Sequence, residues 1–297
     1  MVRVFRGDAE RFVSQINASA GAALVLVGVA DHGESGGAVY AEWPDGRAAV
    51  ITRTCAGMSS MQRTAQVLNE LRAQGLPVPR HDALVPLADN AVGVVQERLP
   101  GVPAATIGPE VIDRMIGASE PFAGVLETRS DVPPQQLHLR SSGPDFMRHE
   151  TLESYSPRSR KLLARILDVG RDGPDEVRGD DLVHPDYTFG NVLFSGGEVS
   201  GIVDWNGGIA RGDRWLSLVG LRFEMSWSTI YPGGQHQVSD AAIRCLDEHL
   251  VSRLAPDVLL RYWAHWTLSR LDWTISNFPP ADINLFLDLG ESRLLSA

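Results

Sequence analysis

The chain has 297 residues, 43% apolar, 22% charged and 7% aromatic. This is ordinary globular composition, which excludes a disordered, collagen-like or coiled-coil chain; at this length one core usually divides into two. The net charge of −10 argues against a nucleic-acid partner, which asks for a basic face, and suits a cationic small ligand or any acidic soluble enzyme.

Cys55 and Cys245 are the only cysteines, too few and too far apart for a disulfide framework or a cysteine zinc site. The N-terminal MVRVFRGDAERF has no apolar signal core, and the run 21–30 is far shorter than the roughly 20 residues of a membrane helix. The expectation is a cytoplasmic protein with no membrane partner. Lys161 is the only lysine.

In chain order, the residues predict strands over 23–30, 38–43 and 48–54, joined by the turn-rich 31–37 and by Pro44-Asp45-Gly46-Arg47. Met61, Ala65, Leu68 and Leu71 then repeat at helical spacing, so 59–74 reads as a helix capped by Ser59 or Ser60 and stopped by Gly75 and Pro77. Two more strands, 83–87 and 91–97, complete a β-rich lobe that closes near Pro100-Gly101. The remainder reads as helical: 111–128, 157–169, 240–254, 257–276 and 280–295, with a loop over 129–150 and an irregular stretch over 226–239. This organisation is α+β.

The stretch Leu182–Leu218, LVHPDYTFGNVLFSGGEVSGIVDWNGGIARGDRWLSL, carries the chemistry. Val192-Leu193-Phe194 and Val199–Val203 read as a hairpin around Ser195-Gly196-Gly197-Glu198. With Phe194 opposite Val199, Asp204 falls opposite Phe189, two residues from Asn191. Asp186 lies on the loop feeding Asn191. Any one of these is an ordinary turn or capping residue; together, two carboxylates and a carboxamide make a hard-oxygen set suited to Mg²⁺.

His184-Pro-Asp186-Tyr-Thr-Phe-Gly-Asn191, followed by Ile202-Val203-Asp204-Trp205, resembles the catalytic and metal-binding motifs of the aminoglycoside phosphotransferase family, small-molecule relatives of the protein kinases. Gly75-Leu76-Pro77-Val78-Pro79-Arg80 is similar to the segment after that family's first helix, Gln96–Gly101 to its interlobe hinge, and Gly212-Asp213 to the pair after its metal-binding strand. The resemblance implies a two-lobed, protein kinase-like fold, with 1–97 the nucleotide-binding lobe and 98–297 the catalytic and acceptor-binding lobe. It implies Asp186 as the base that aligns and deprotonates an acceptor hydroxyl. Asn191 and Asp204 would be ligands of Mg²⁺, and His184 and Asp213 braces of the loop.

The chain also departs from the pattern. No lysine stands in the third strand, Ala49-Val50-Ile51-Thr52-Arg53, so the phosphate-gripping slot falls on Thr52 or Arg53 according to register. Thr64 occupies the place of the usual helix glutamate, and Ser217 that of a second aspartate after Asp213. Gly36-Gly37, in the loop before the second strand, permits close backbone approach to phosphate, and the base would meet backbone groups at Glu97–Leu99. The C-terminal helices offer Glu224, Trp266, Asp272 and Trp273 for the acceptor, although Trp263, Trp266 and Trp273 at helical spacing read equally as core.

The expected activity is transfer of the γ-phosphate of ATP or GTP to a hydroxyl of a small molecule. An antibiotic of aminoglycoside, tuberactinomycin or nucleoside type is favoured, giving resistance or self-protection. The alternatives are a metabolite kinase for a sugar or amino alcohol, and a binding module without transfer.

Overall fold

The computed structural model describes residues 6–30, 38–87, 90–144, 146–171, 173–230 and 236–295. They form two compact units, Met1–Pro103 with Gly190–Ile209, and Ala104–Phe189 with Ala210–Ala297. The first unit therefore runs past Glu97 and takes in the hairpin that follows Asn191.

The first unit holds helix α1 (Arg6–Ala20), strands β1 (Val25–Val29), β2 (Val39–Glu42) and β3 (Ala48–Thr54), helix α2 (Met58–Ala73), and strands β4 (His81–Pro86) and β5 (Val92–Glu97). The strands make one antiparallel sheet in the order β1-β2-β3-β5-β4. The predicted strands lie on these elements: β3 has the expected ends, β1, β2 and β5 are shorter by a residue or two at one or both ends, and β4 begins two residues earlier than expected, at His81. α1 was not expected, although Ala9, Val13 and Ile16 recur at helical spacing and are buried against the sheet.

Strand alternation gives the sheet two apolar faces. Ala49, Ile51 and Val95 pack with α1 on one face. Val92 and Val94 pack with Met61 of α2 on the other. The α2 cap differs from expectation: the N-cap is Gly57 at φ 82°, with no side-chain cap bond, and Ser59 and Ser60 lie inside the first turn.

The predicted hairpin forms from Val192–Ser195 and Glu198–Ile202. Phe194 does face Val199, but the register then shifts, so that Gly201 faces Leu193 and Ile202 faces Val192. The extra residue moves Asp204 one place nearer Asn191 than an unbroken ladder would. A short strand β6 (Val102–Pro103) pairs with Leu193 and Phe194. Gly101 makes that pairing possible: its φ is +102°, and a Cβ there would lie 2.7 Å from the Phe194 carbonyl oxygen.

The second unit contains helices α3 (Pro109–Ser119), α4 (His149–Tyr155), α5 (Pro157–Arg171), α6 (Trp215–Ile230), α7 (Asp240–Arg253), α8 (Pro256–Asn277) and α9 (Pro280–Leu294). Asp181–Val183 pairs antiparallel with Ala210–Gly212. The expected helix over 111–128 ends at Ser119, where the chain enters a 3-10 turn containing Pro121. α6 runs to Ile230, so the first five residues of the irregular stretch expected over 226–239 are helical, and Gln237–Val238 near its end is a short strand; 231–235 lie outside the described residues. α4 occupies the end of the expected 129–150 loop. No helix among the described residues is long and apolar enough to cross a membrane.

Candidate active site

In the second unit, strand Asp181–Val183 delivers His184 and then Asp186. His184 is 1% exposed, and its Nδ1 accepts the Asp186 backbone N–H at 3.0 Å. Its carbonyl accepts the Ser217 hydroxyl at 2.9 Å, so the residue in the place of a second aspartate ties α6 to this loop. The ring of His184 meets Tyr187 edge-on, and the Tyr187 hydroxyl donates to the Met115 carbonyl at 2.7 Å. The Asp186 backbone is thus held from both sides. Asp213 accepts the Trp215 N–H at 2.9 Å and the Tyr262 hydroxyl at 3.0 Å, which joins the start of α6 to α8. Burial pushes its carboxyl up from the usual carboxylate range.

In the first unit, the Val203 N–H donates to the Asn191 carbonyl at 2.9 Å, closing the open end of the hairpin. Asn191 and the next residue, Asp204, therefore stand at the same end of one small sheet. Asp204 has φ +63°, in the left-handed region, a conformation that costs a non-glycine residue about 1–3 kcal/mol. Its carboxylate accepts the side-chain amide of Asn206 at 2.7 Å. The Asn206 amide oxygen in turn accepts the Thr52 hydroxyl at 2.8 Å, and its carbonyl accepts the Thr54 hydroxyl at 2.5 Å. Asn206 thus links strand β3 to Asp204. Sequence reasoning missed it, because an asparagine after Asp-Trp reads as a turn residue. The donors at this end, a carboxylate and a carboxamide, are hard oxygen ligands with no soft atom among them, and that chemistry fits Mg²⁺.

The sheet register settles which of Thr52 and Arg53 faces this network. Thr52 pairs with Val94 on the α2 face, 9% exposed, and reaches Asn206. Arg53 pairs with Gly93 on the opposite face, where a Cβ on Gly93 would strike Ile16 of α1, and is exposed. Thr64 is fully buried and donates to the Ser60 carbonyl at 3.0 Å. α2 therefore presents neutral groups where a glutamate was absent. Gly208, at φ +81°, passes so close to α2 that a Cβ would lie 2.5 Å from the Ser60 Oγ.

Glu97 ends β5 with its carboxylate 2.7 Å from the Arg72 guanidinium of α2. Its N–H donates to the Arg80 carbonyl at 2.9 Å, and the Arg98 N–H to the Ala48 carbonyl at 3.3 Å. Leu99 covers Gly201 of the hairpin, within 3.2 Å of where a Cβ would sit. Gly36 and Gly37 lie outside the described residues.

The acceptor candidates divide. Trp266 is buried, with its indole N–H donating to the Leu216 carbonyl at 2.8 Å. Asp272 is fully buried and accepts the Arg148 backbone N–H at 2.8 Å, anchoring the chain before α4. Each thus has a polar atom committed to the chain's own backbone, while the other Asp272 carboxylate oxygen is buried with no hydrogen-bond partner among the described residues. Glu224 and Trp273 are partly exposed. A residue not expected, Arg270 of α8, lies 3.4 Å from the Asp186 carboxylate, with its guanidinium over the Trp266 ring at 5.2 Å and near Trp273 at 5.9 Å. The two residues are 84 positions apart, so no local pattern reveals the pair.

A family model described as the phosphotransferase enzyme family matches residues 29–215, well over half the chain. A comparison with curated protein sequences finds no match. Among solved structures, a thermostable mutant of aminoglycoside phosphotransferase APH(4)-Ia, in a ternary complex with ADP and hygromycin B, is 17% identical with a TM-score of 0.69. That alignment covers 97% of this chain and 98% of the other. Amicoumacin kinase in complex with AMP-PNP and Ca²⁺ is 14% identical with a TM-score of 0.59, over 95% and 93% of the two chains. Aminoglycoside-3′-phosphotransferase of type VIII is 20% identical with a TM-score of 0.57, over 88% and 98%. These likenesses establish the two-lobed, protein kinase-like α+β fold. The chain belongs to the phosphotransferase enzyme family, as its Asp186, Asn191 and Asp204 motifs implied, and is a small-molecule phosphotransferase.

Proposed function

We propose that this protein transfers the terminal phosphate of ATP or GTP to a hydroxyl of a small-molecule antibiotic, of aminoglycoside, tuberactinomycin or nucleoside type. One observation carries the reading: the Val203–Asn191 main-chain bond brings a carboxamide and a carboxylate to one hairpin end, five residues along the chain from Asp186.

In this account Asp186 accepts a hydrogen bond from the acceptor hydroxyl and takes its proton as the new O–P bond forms and the nucleoside diphosphate leaves. Asn191 and Asp204 would hold Mg²⁺, which supplies charge neutralisation to the phosphate oxygens. His184 fixes the Asp186 backbone, and Asp213 fixes the start of α6. Backbone groups at Glu97–Leu99 would read the base, with the amides of Glu97 and Arg98 already donated to the Arg80 and Ala48 carbonyls. Gly36 and Gly37 would cover the phosphates. Glu224 and Trp273, with Arg270, are the side chains proposed to meet the acceptor.

The net charge of −10 supports a cationic acceptor, and the antibiotic named in one solved relative's complex and in the name of another supports its class. Incubating the purified protein with ATP or GTP, Mg²⁺ and a panel of these antibiotics, sugars and amino alcohols tests the reading. Mass spectrometry of the acceptors should show one added phosphate on an antibiotic. Phosphate added only to sugars or amino alcohols would make the protein a metabolite kinase.

A further inference from the structure

Among the described residues outside those assigned to phosphoryl transfer, one group of side chains combines three metal-ligand chemistries. Cys245 and His249 lie four residues apart on one face of α7, and Asp113 reaches them from α3. The Asp113 carboxylate oxygen is 3.6 Å from the Cys245 sulfur and 3.2 Å from the His249 Nε2. One donor atom from each residue lies within 4.8 Å of the others.

The two distances to the carboxylate match edges of a tetrahedron around zinc, and the third pair, sulfur and imidazole nitrogen, lies within 4.8 Å. With Zn–S of about 2.3 Å, Zn–N of about 2.0 Å and Zn–O of about 2.0 Å, tetrahedral angles give edges of roughly 3.5 Å for S···O and 3.3 Å for N···O. A hydrogen-bonded cluster needs only two close contacts to the shared carboxylate. A metal site needs all three donors to converge, as these do. The donor set is mixed thiolate, imidazole and carboxylate, which selects zinc-class cations over Mg²⁺ or Ca²⁺. Counting cysteines along the sequence gave no zinc site, because two of the three ligands are not cysteines and one comes from a helix some 130 residues away.

We propose that Asp113, Cys245 and His249 form a binding site for a zinc-class divalent cation, with water as the fourth ligand, that clamps α7 to α3. Cys245 ligates as the thiolate, and its proton passes to solvent when the metal binds. His249 ligates through Nε2. The site is built from the second unit alone and does not rest on the assignment of Asn191 and Asp204.

Titrating the metal-free protein with Zn²⁺, and with Co²⁺ as a spectroscopic reporter, tests this. The proposal expects one equivalent bound at micromolar metal, a thiolate-to-cobalt charge-transfer band with the visible spectrum of a tetrahedral centre, and a rise in Tm on adding Zn²⁺. Cys245→Ser should abolish the charge-transfer band, and Cys55→Ser should leave it unchanged. Losing an outer-sphere partner costs a metal site about 10–100-fold in affinity, so Asp113→Asn or His249→Gln, each removing a direct ligand, should weaken binding by at least that much. Asn191 and Asp204 offer no sulfur, so Co²⁺ bound there gives no such band. No binding at micromolar metal would overturn the proposal and leave a hydrogen-bonded contact between two helices. So would a charge-transfer band that survives in Cys245→Ser.

Discussion

Asn206 is the residue on which the geometry of Asp204 turns, and its removal gives a graded, quantitative prediction. Its side chain accepts from Thr52 at 2.8 Å and donates to the Asp204 carboxylate at 2.7 Å. A neutral hydrogen bond contributes about 1 kcal/mol net, and one to a charged group about 1.5–3 kcal/mol. Asn206→Ala removes both and keeps the backbone carbonyl that accepts from Thr54. The loss should therefore reach about 2–4 kcal/mol, divided between folding stability and the placement of Asp204. Thr52→Val removes only the neutral bond, for about 1 kcal/mol, and Thr52→Ser restores it. The two substitutions act on one chain of bonds, so Thr52→Val should cost nothing further in the Asn206→Ala background. Urea unfolding together with turnover at saturating nucleotide measures both parts. Additive losses in the double variant, or full turnover in Asn206→Ala, would refute the role given to Asn206.

Asp204→Asn should leave the protein folded and abolish both turnover and the Mg²⁺ dependence of nucleotide binding; unchanged Mg²⁺-dependent binding by calorimetry would remove Asp204 from the metal site. Arg53→Ala should leave the nucleotide KM unchanged, since register turns Arg53 away from Asn206; a loss of about 1.5–3 kcal/mol would instead place its guanidinium on phosphate. Acid should destabilise the protein through its buried histidines. Burial lowers His265 and His81 to about 4 from 6.5, so the unfolded chain takes up more protons between those values. The stability they contribute is complete above about pH 6.5 and is lost as pH falls towards 4. Between pH 7 and 5, His265 alone should cost about 2 kcal/mol in chemical denaturation, and partly exposed His81 somewhat less.

Local patterns revealed much of the fold and the ends of the site. The five strands and most helices followed from apolar periodicity and from glycine and proline punctuation, and the juxtaposition of Asn191 and Asp204 was legible because a hairpin turns a linear interval into a meeting point. The bulge after Val199 was not legible, since Ser200 carries no mark of an extra residue. It brings Asp204 closer to Asn191 than simple pairing would. Strand β3 left Thr52 and Arg53 as equal choices, because register depends on partners in β2 and β5. Asn206 and Arg270 stayed hidden for another reason. Each acts on a residue far along the chain, Asn206 on Thr52 and Arg270 on Asp186, and no periodicity encodes such a contact. Trp266 and Asp272, which their place on a late helix offered for the acceptor, also bond the chain's own carbonyl and amide groups, contacts that no local pattern shows.

The central claim is that Asp186 takes the proton of the acceptor hydroxyl, and single-turnover phosphate transfer by Asp186→Asn tests it most directly. The substitution keeps the shape and the bond from the Asp186 amide to His184, but the new side chain cannot accept a proton. General-base catalysis contributes about 10²–10⁴-fold. With the best acceptor from the panel, transfer should slow by that factor while nucleotide binding and the acceptor KM change little, because the lost interaction belongs to the transition state. Transfer at the wild-type rate in Asp186→Asn would contradict the account.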